Sequence, residues 1–311
     1  MKLAIFALFI AVATATYVPG APGAPWTDEE LRIVKAKLYA IYTKGTAALA
    51  QLYGSDEVYN KRGGVTEKFQ GAGPSAPKML RLGFHDCLKY KDGTGGCDGC
   101  LNWHGVGYRY PNSTVQWRRD EGLETFEDIG ETNNNGMEFT VAVLEEVYIN
   151  PEYPQNMAPA LEISLKNSGK SRADLWAFAA ITAVEYGIET NNAVCDGTSI
   201  GSPIPQCNQE LGTSKCMVNV PRPLVFQTGR KDCTEFGDIP YKATKEELHP
   251  NAVGNGKMTL DFFKESFDFN SQETVAIMGG HTMGHMHSSI SLFRYLWTTE
   301  GTDSFNNHYY K

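Results

Sequence analysis

Apolar residues recur every three or four positions in several stretches of the chain, which is the spacing of an amphipathic helix. The first such stretch runs from Leu31 to Gly54. Just ahead of it, Thr27 and Glu30 have the spacing of a capping box. Trp26 and Leu31 have the spacing of a hydrophobic staple, so we expect one long helix to begin here.

The same pattern predicts further helices at residues 77–90, 136–148, 171–187 and 260–267, and a last one that begins at Asn270. The helix that begins at residue 171 is apolar on most sides, which indicates a central buried helix, and we expect Gly187 to end it. No stretch alternates polar and apolar residues convincingly as a strand does. The pattern therefore predicts an all-α fold.

Length and charge narrow the classes of partner. A chain of 311 residues can bury one large core or two modest subdomains. Its net charge of -8 gives no electrostatic reason to expect nucleic acid or an anionic membrane as a partner, because neutralising phosphates requires clustered Lys and Arg. Small neutral or aromatic substrates are compatible with this charge.

The N-terminus has the pattern of a signal peptide. Lys2 precedes an apolar run from Leu3 to Ala13, and Ala13-Thr14-Ala15 has the small-x-small form of a cleavage site. The run is too short to span a bilayer, and no later run approaches about 18 apolar residues. We expect residues 1–15 to be removed and residues 16–311 to form one secreted, extracellular domain.

The chain has seven cysteines, which in a secreted protein are expected to form disulfides. Four of them fall in an irregular region, residues 191–255, that is rich in Gly, Pro and Asn. Because this region is too long for an unconstrained loop, we expect disulfides to hold it, with the pairing left open. Cys97 and Cys100 also have the spacing of a redox Cys-x-x-Cys, an alternative that secretion disfavours.

One candidate site is carried by the second helix. Arg81 and His85 are four residues apart, so they share a helix face, and Phe84 lies beside them. Ionisable residues on the inward face of an apolar helix are costly unless a ligand or a partner satisfies them. The alternative interpretation is a surface arginine beside a core histidine whose hydrogen bonds are satisfied.

A second candidate site is His281 on the last helix, directly after Gly279 and Gly280. Glycines let a flat ligand approach the backbone closely. A rival interpretation is a zinc site, because His281 and His285 are one helical turn apart. The glutamate of His-Glu-x-x-His is absent, however, and zinc has no use for the two glycines.

These motifs resemble those of the haem peroxidases of the plant, fungal and bacterial superfamily. The distal motif Arg-x-x-(Phe or Trp)-His-Asp is matched at residues 81–86, and the proximal motif Gly-(Gly or Ala)-His-Thr at residues 279–282. Between them, Asn134 stands at the asparagine of Ala-Asn-x-Gly-Leu. The resemblance covers roughly residues 75–310. It implies a helical fold with haem b between a distal and a proximal subdomain.

The resemblance also implies a role for each matched residue. His281 would be the axial ligand of the haem iron, with Gly280 beside the haem. His85 would move a proton between the peroxide oxygens, and Arg81 would stabilise the separating charge. Asn134 would accept the proton on the far ring nitrogen of His85, although its position in an asparagine run also suits a turn. Phe84 would pack over the haem and exclude water. The implied reaction is one-electron oxidation of small organic substrates by hydrogen peroxide.

The resemblance further implies a calcium site beside the distal helix, with Asp86, Gly96 and Asp98 at the matching positions. Cys100 stands where the secreted branches supply a serine hydroxyl, so the chain departs from their ligand set. Thr282 is a further candidate ligand for calcium or another cation.

The chain combines features of two branches. Cys87 and Cys97 match a disulfide of the plant secretory branch. Trp297, sixteen residues after His281, falls at the proximal tryptophan of ascorbate and cytochrome c peroxidases, which lies against the imidazole and can hold a radical. A plain core aromatic is the alternative for this residue. Ile290 stands where ascorbate peroxidases have a substrate-binding arginine, so ascorbate is not supported.

The chain also departs from the family pattern near its C-terminus. Residues 305–310 resemble the family's Phe-Asp-Asn-x-Tyr-(Tyr or Phe), with Asn306 at the aspartate position. The family continues for several helices, one of which brings an aspartate that bonds the proximal histidine. We expect either a truncated product or a reduced proximal half that lacks these helices. A haem-binding module without turnover is the corresponding alternative function.

Overall fold

The structure is a computed structural model that describes residues 16–53, 57–59, 66–68, 73–101, 134, 136–195, 217–235, 250–251, 254–286, 297–298 and 303–310. The helices and strands are α1 (Asp28–Tyr53), β1 (Glu57–Tyr59), β2 (Thr66–Lys68), α2 (Ala76–Cys87), α3 (Glu138–Ile149), α4 (Arg172–Cys195), α5 (Gly256–Phe267) and α6 (Ser271–Met278). Two 3-10 turns follow, Gly279–Thr282 and His308–Tyr310. The predicted signal peptide and Ile290 lie outside the described residues.

The all-α prediction is confirmed, with one small addition. β1 and β2 pair antiparallel, with Val58 opposite Glu67. Strands of three residues are too short to give a readable alternation in the sequence, which is why the pattern did not predict them. Within the ranges described, no helix is both long and apolar enough to cross a membrane.

Local capping signals begin the predicted helices. At α1 the backbone N–H of Glu30 donates to Thr27 Oγ1 (3.1 Å), and the Thr27 N–H donates to Glu30 Oε2 (2.7 Å). At α6 Asn270 and Glu273 form the same reciprocal pair. Each pair satisfies two N–H groups that the first helical turn leaves without partners, so the helix starts where the sequence predicted.

Helix α4 is the central helix, as its apolar sequence predicted. Its Trp176 is fully buried, and the Tyr42 hydroxyl of α1 donates to the Ala179 carbonyl (2.7 Å). On another side, α2 approaches so closely that a Cβ placed on Gly83 would lie 2.3 Å from the Cβ of Ala180. Because real carbon atoms do not come this close, Gly83 sets the distance between α2 and α4.

The prediction that Gly187 ends α4 is wrong, because the helix continues to Cys195. A glycine ends a helix when it takes a left-handed conformation, and Gly187 is not among the glycines with positive φ. A Cβ there would lie 2.8 Å from Met283 Sδ and 3.0 Å from Phe305 Cβ. Gly187 therefore allows the segments around residues 283 and 305 to pack directly on α4.

The start of α4 is held by the segment 227–232. The Asp232 carboxylate accepts the backbone N–H groups of Arg172 (3.0 Å) and Ala173 (2.8 Å), two of the groups that a helix start leaves without partners. The Arg172 guanidinium is almost fully buried and forms an ion pair with Glu145. Since Cys233 forms a disulfide with Cys100, the same segment connects α4 to the loop after α2.

Candidate active site

The first half of the site lies on α2, where His85 meets Asn134. His85 Nδ1 lies 2.8 Å from Asn134 Oδ1, and both side chains are buried. Because an amide oxygen only accepts hydrogen bonds, Nδ1 carries the proton and donates it. The lone pair of the imidazole is therefore on Nε2. The structure places Asn134 where the resemblance requires it.

The protonation state of His85 follows from its surroundings. Burial and, to a smaller extent, the positive charge of Arg81 lower the pKa of His85 to about 3, although the hydrogen bond to Asn134 opposes both effects. At neutral pH the imidazole is therefore uncharged and able to take up a proton.

Phe84 connects α2 to the last two helices. Its ring packs against a hydrophobic cluster of Leu88, Phe263 and Phe267, which Ile277 of α6 also contacts. These contacts orient α2 relative to α5 and α6, and so relative to the segment that carries His281.

The structure corrects the setting of His281. The sequence predicted an α-helix through this residue, but α6 ends at Met278 and His281 lies in the 3-10 turn Gly279–Thr282. Two successive glycines weaken the α-helix, and the chain tightens into a 3-10 turn there. The turn faces α2, because a Cβ on Gly280 would lie 3.7 Å from Leu80 Cδ2.

Two aromatic rings flank His281. The ring centroid of Trp297 lies 4.2 Å from that of His281, and the centroid of Tyr309 lies 5.3 Å away. The resemblance implied the first contact. The second was missed, although the aromatic residues at 305–310 were a signal for it.

His281 Nδ1 is buried and has no hydrogen-bond partner among the residues that the structure describes. Burial lowers the pKa of His281 to about 4, and the backbone of Met278 offsets part of this effect. The imidazole is therefore uncharged at neutral pH, which is the form that binds iron. His281 fits a haem ligand, because its imidazole is uncharged, buried, and next to glycines and aromatic rings.

The zinc interpretation requires His281 and His285 on one helix face, and this is wrong. The 3-10 turn ends at Thr282, and Gly284 has a left-handed φ of 87°. Nor do the described ranges contain a group of three or more His, Cys, Asp or Glu side chains that suits a metal ion.

The loop after α2 is shaped by Asp86 and by two disulfides. Asp86 Oδ1 accepts the backbone N–H groups of Asp98 (3.1 Å) and Gly99 (2.9 Å). The disulfides join Cys87 to Cys97, as the resemblance implied, and Cys100 to Cys233. Because both cysteines of the Cys-x-x-Cys have other partners, the redox-pair interpretation is wrong.

The candidate cation ligands belong to two separate hydrogen-bond networks. Gly96, with a left-handed φ of 103°, and Asp98 lie in the loop after α2, and the backbone N–H of Asp98 donates to Asp86 at the end of that helix. Thr282 instead donates its hydroxyl to Asn306 Oδ1 (2.9 Å). Among the described residues, Thr282 is therefore joined to an uncharged amide rather than to the Asp86 loop.

Comparison with known proteins also points to a haem peroxidase. Residues 155–311 match the family described as "Peroxidase". Proteins named "Putative heme-binding peroxidase" are 25% identical in Mycosarcoma maydis over 68% of this chain and 48% of theirs, and 25% identical in Aspergillus fumigatus over 77% and 52%. The "L-ascorbate peroxidase 5, peroxisomal" of Arabidopsis thaliana is 26% identical over 76% of this chain and 56% of its own. The chain spans about half the length of these curated relatives.

Proposed function

Because the chain belongs to the peroxidase family, we propose that it binds haem b through His281, reduces hydrogen peroxide, and oxidises small organic substrates by one-electron steps. The observation that carries the proposal is the hydrogen bond between His85 and Asn134, which holds a neutral imidazole in one tautomer on α2. A histidine that only filled the core would not need an arginine one turn before it.

The residues of α2 perform the proton transfer. His85 Nε2 takes the proton from one peroxide oxygen and returns it to the other, which then leaves as water. Asn134 keeps the proton of the imidazole on Nδ1 throughout. Arg81 stays protonated and stabilises the negative charge that develops as the O–O bond breaks. When bound, the haem supplies the two electrons that this cleavage consumes.

The residues around the 3-10 turn hold the ligand. His281 offers an uncharged imidazole, and Trp297 and Tyr309 fix the plane of its ring from their positions beside it. Iron accepts imidazole nitrogen as a ligand, so haem binding requires no change of protonation at neutral pH.

A second candidate function is haem binding with little turnover. The observation that favours it is the buried Nδ1 of His281, which forms no hydrogen bond with a carboxylate within the described part of the chain. A hydrogen-bonded carboxylate makes a ligating imidazole more basic, and an imidazole without one donates less electron density to the metal. Rapid mixing of the haem-loaded protein with hydrogen peroxide distinguishes the two candidates by rate, because acid–base catalysis should make the absorption change of a peroxidase about 10²–10⁴-fold faster than that of a haem-binding module.

Secretion and calcium binding also belong to this proposal. Secretion is supported by the sequence of residues 1–15 and by the two disulfides, which persist in oxidising compartments. Calcium would bind where Asp86, at the end of α2, meets the loop that contains Gly96 and Asp98. Sequencing the N-terminus of exported protein tests secretion. Metal analysis, together with melting curves with and without a chelator, tests calcium binding. Identical melting curves and no bound calcium would refute the calcium site.

A further inference from the structure

We propose that Asn306 is a positioning residue that holds the turn carrying His281 through an uncharged hydrogen-bond network. Its importance for iron ligation rests on the proposed function, whereas its effect on the turn does not. The network consists of Thr282, Asn306, Asn191 and the backbone of His308, and we call it the amide network.

Asn306 joins three segments of the chain through one side chain. Its Oδ1 accepts the Thr282 hydroxyl (2.9 Å) and the backbone N–H of His308 (2.9 Å). Its Nδ2 donates to Asn191 Oδ1 (3.1 Å) on α4. The 3-10 turn, the C-terminal segment and the central helix therefore meet at this amide.

The network is anchored on the α4 side. Asn191 Nδ2 donates to Asn192 Oδ1 (3.2 Å), and the Asn192 amide exchanges hydrogen bonds with the backbone N–H (2.8 Å) and carbonyl (3.1 Å) of Val218. Thr282 and Asn191 are each 1% exposed. Buried polar groups whose partners are removed destabilise the fold, so each link constrains the next.

The position of Asn306 explains how it acts on His281. Thr282 directly follows His281, and His308 directly precedes Tyr309, whose ring flanks the His281 ring. Asn306 Oδ1 thus binds the residue next to His281 and the residue next to Tyr309, and so fixes the distance between the His281 and Tyr309 rings. His281 itself has no hydrogen bond at Nδ1 within the described residues, so backbone anchoring and ring packing are what orient its imidazole.

An amide is the group that this position requires. It accepts two hydrogen bonds and donates one, which a carboxylate cannot do. The related motif has aspartate here, and that side chain would place a charged oxygen against the Asn191 oxygen. Asn306→Asp therefore keeps the two accepted bonds but breaks the link to α4, while Asn306→Ala removes all three.

The first test measures hydrogen exchange by mass spectrometry on the haem-free protein. We expect Asn306→Ala to raise exchange of the backbone amides in 279–283 at least tenfold, and Asn306→Asp to raise it by less. The matched control is Asn150→Ala, which removes an amide that also donates one hydrogen bond and accepts a backbone N–H, but at the end of α3, and should leave exchange at 279–283 unchanged. Equal exchange at 279–283 in Asn306→Ala and in the wild type would overturn the proposal.

The second test uses the ferric haem complex. Electron paramagnetic resonance should show one species in the wild type and a mixture of coordination states in Asn306→Ala, because a loosened turn lets His281 take several orientations. A single wild-type signal in Asn306→Ala would overturn its role in ligation. If the wild type binds no haem, the proposed function fails while the exchange result still stands. If Asn306→Ala does not fold, Thr282→Val removes only the hydroxyl bond, and wild-type exchange in that variant overturns the proposal.

Discussion

The ring of Trp297 lies against the ring of His281, with their centroids 4.2 Å apart and their planes inclined by 36°. Contact of this kind gives a candidate electron donor beside the iron ligand. Whether the indole is oxidised depends on what stabilises its positive charge, and no carboxylate bonds to His281 Nδ1 among the described residues.

We therefore predict that Trp297 does not hold the oxidising equivalent after reaction with peroxide. Electron paramagnetic resonance after one equivalent of hydrogen peroxide should show the same radical signal in the wild type and in Trp297→Phe. Trp26→Phe is the control, because that indole packs against Phe178 and Phe226 instead. An intense tryptophan signal that disappears only in Trp297→Phe would show that the carboxylate is dispensable.

His281 is predicted to be the sole protein ligand of the haem iron. His281→Ala should lose the Soret band of the wild-type complex, while His285→Ala should keep it, because Gly284 turns the chain away from the helical path between the two residues. Absorption spectra of the two reconstituted variants measure this. Loss of the band in His285→Ala would mean that the wrong histidine has been assigned.

His85 and Asn134 are predicted to affect the peroxide step and not haem uptake. Removing a general acid–base group typically slows a reaction by about 10²–10⁴-fold, so His85→Leu should react that much more slowly with peroxide. Asn134→Val should slow it less, because the imidazole remains but its tautomer is no longer fixed. Stopped-flow absorption measures both rates, and an unchanged rate in His85→Leu would remove this residue from the mechanism.

The stability of the haem-free protein is predicted to fall as the medium becomes acidic. The pKa of His85 is lowered to about 3 and that of His281 to about 4, from ordinary values near 6.5. Below pH 6.5 the unfolded chain therefore binds protons that the folded chain does not, and the free energy of unfolding decreases. This loss of stability is absent above pH 6.5 and grows as the pH falls, to near pH 4 for His281 and near pH 3 for His85. It amounts to at most about 1.4 kcal/mol per pH unit for each histidine.

Urea unfolding at pH 7, 5.5 and 4.5 measures this dependence. In His85→Gln the free energy of unfolding should depend less steeply on pH than in the wild type, since glutamine does not titrate. If the free energy of unfolding depends equally on pH in His85→Gln and in the wild type, His85 titrates normally in the folded protein.

The sequence predicted the features that depend on neighbouring residues. Thr27 and Asn270 begin helices because a cap bonds the turn directly after it. Arg81 and His85 fall on one helix because the whole segment has helical periodicity. The Trp297 contact and the Asn134 hydrogen bond came from resemblance, since no local pattern brings such distant residues together.

The features that escaped prediction depend on distant partners. Cys100 pairs with Cys233 across 133 residues, and nothing near either cysteine specifies the other. Asn306 contacts α4 only because the chain folds back onto Asn191. The sequence predicts a helix end at Gly187 because a glycine that allows close packing looks the same in sequence as one that allows a turn.

The close approach of Gly83 to Ala180 leaves no space for a side chain between α2 and α4 at this point. Gly83 lies between Arg81 and His85, and a methyl group there would meet Ala180 Cβ at 2.3 Å. The helix would have to lift or tilt as a unit, so both side chains would be displaced together. Gly83→Ala would thus displace the charge of Arg81 and the proton-transfer group of His85 together, although Gly83 itself contacts neither peroxide nor iron.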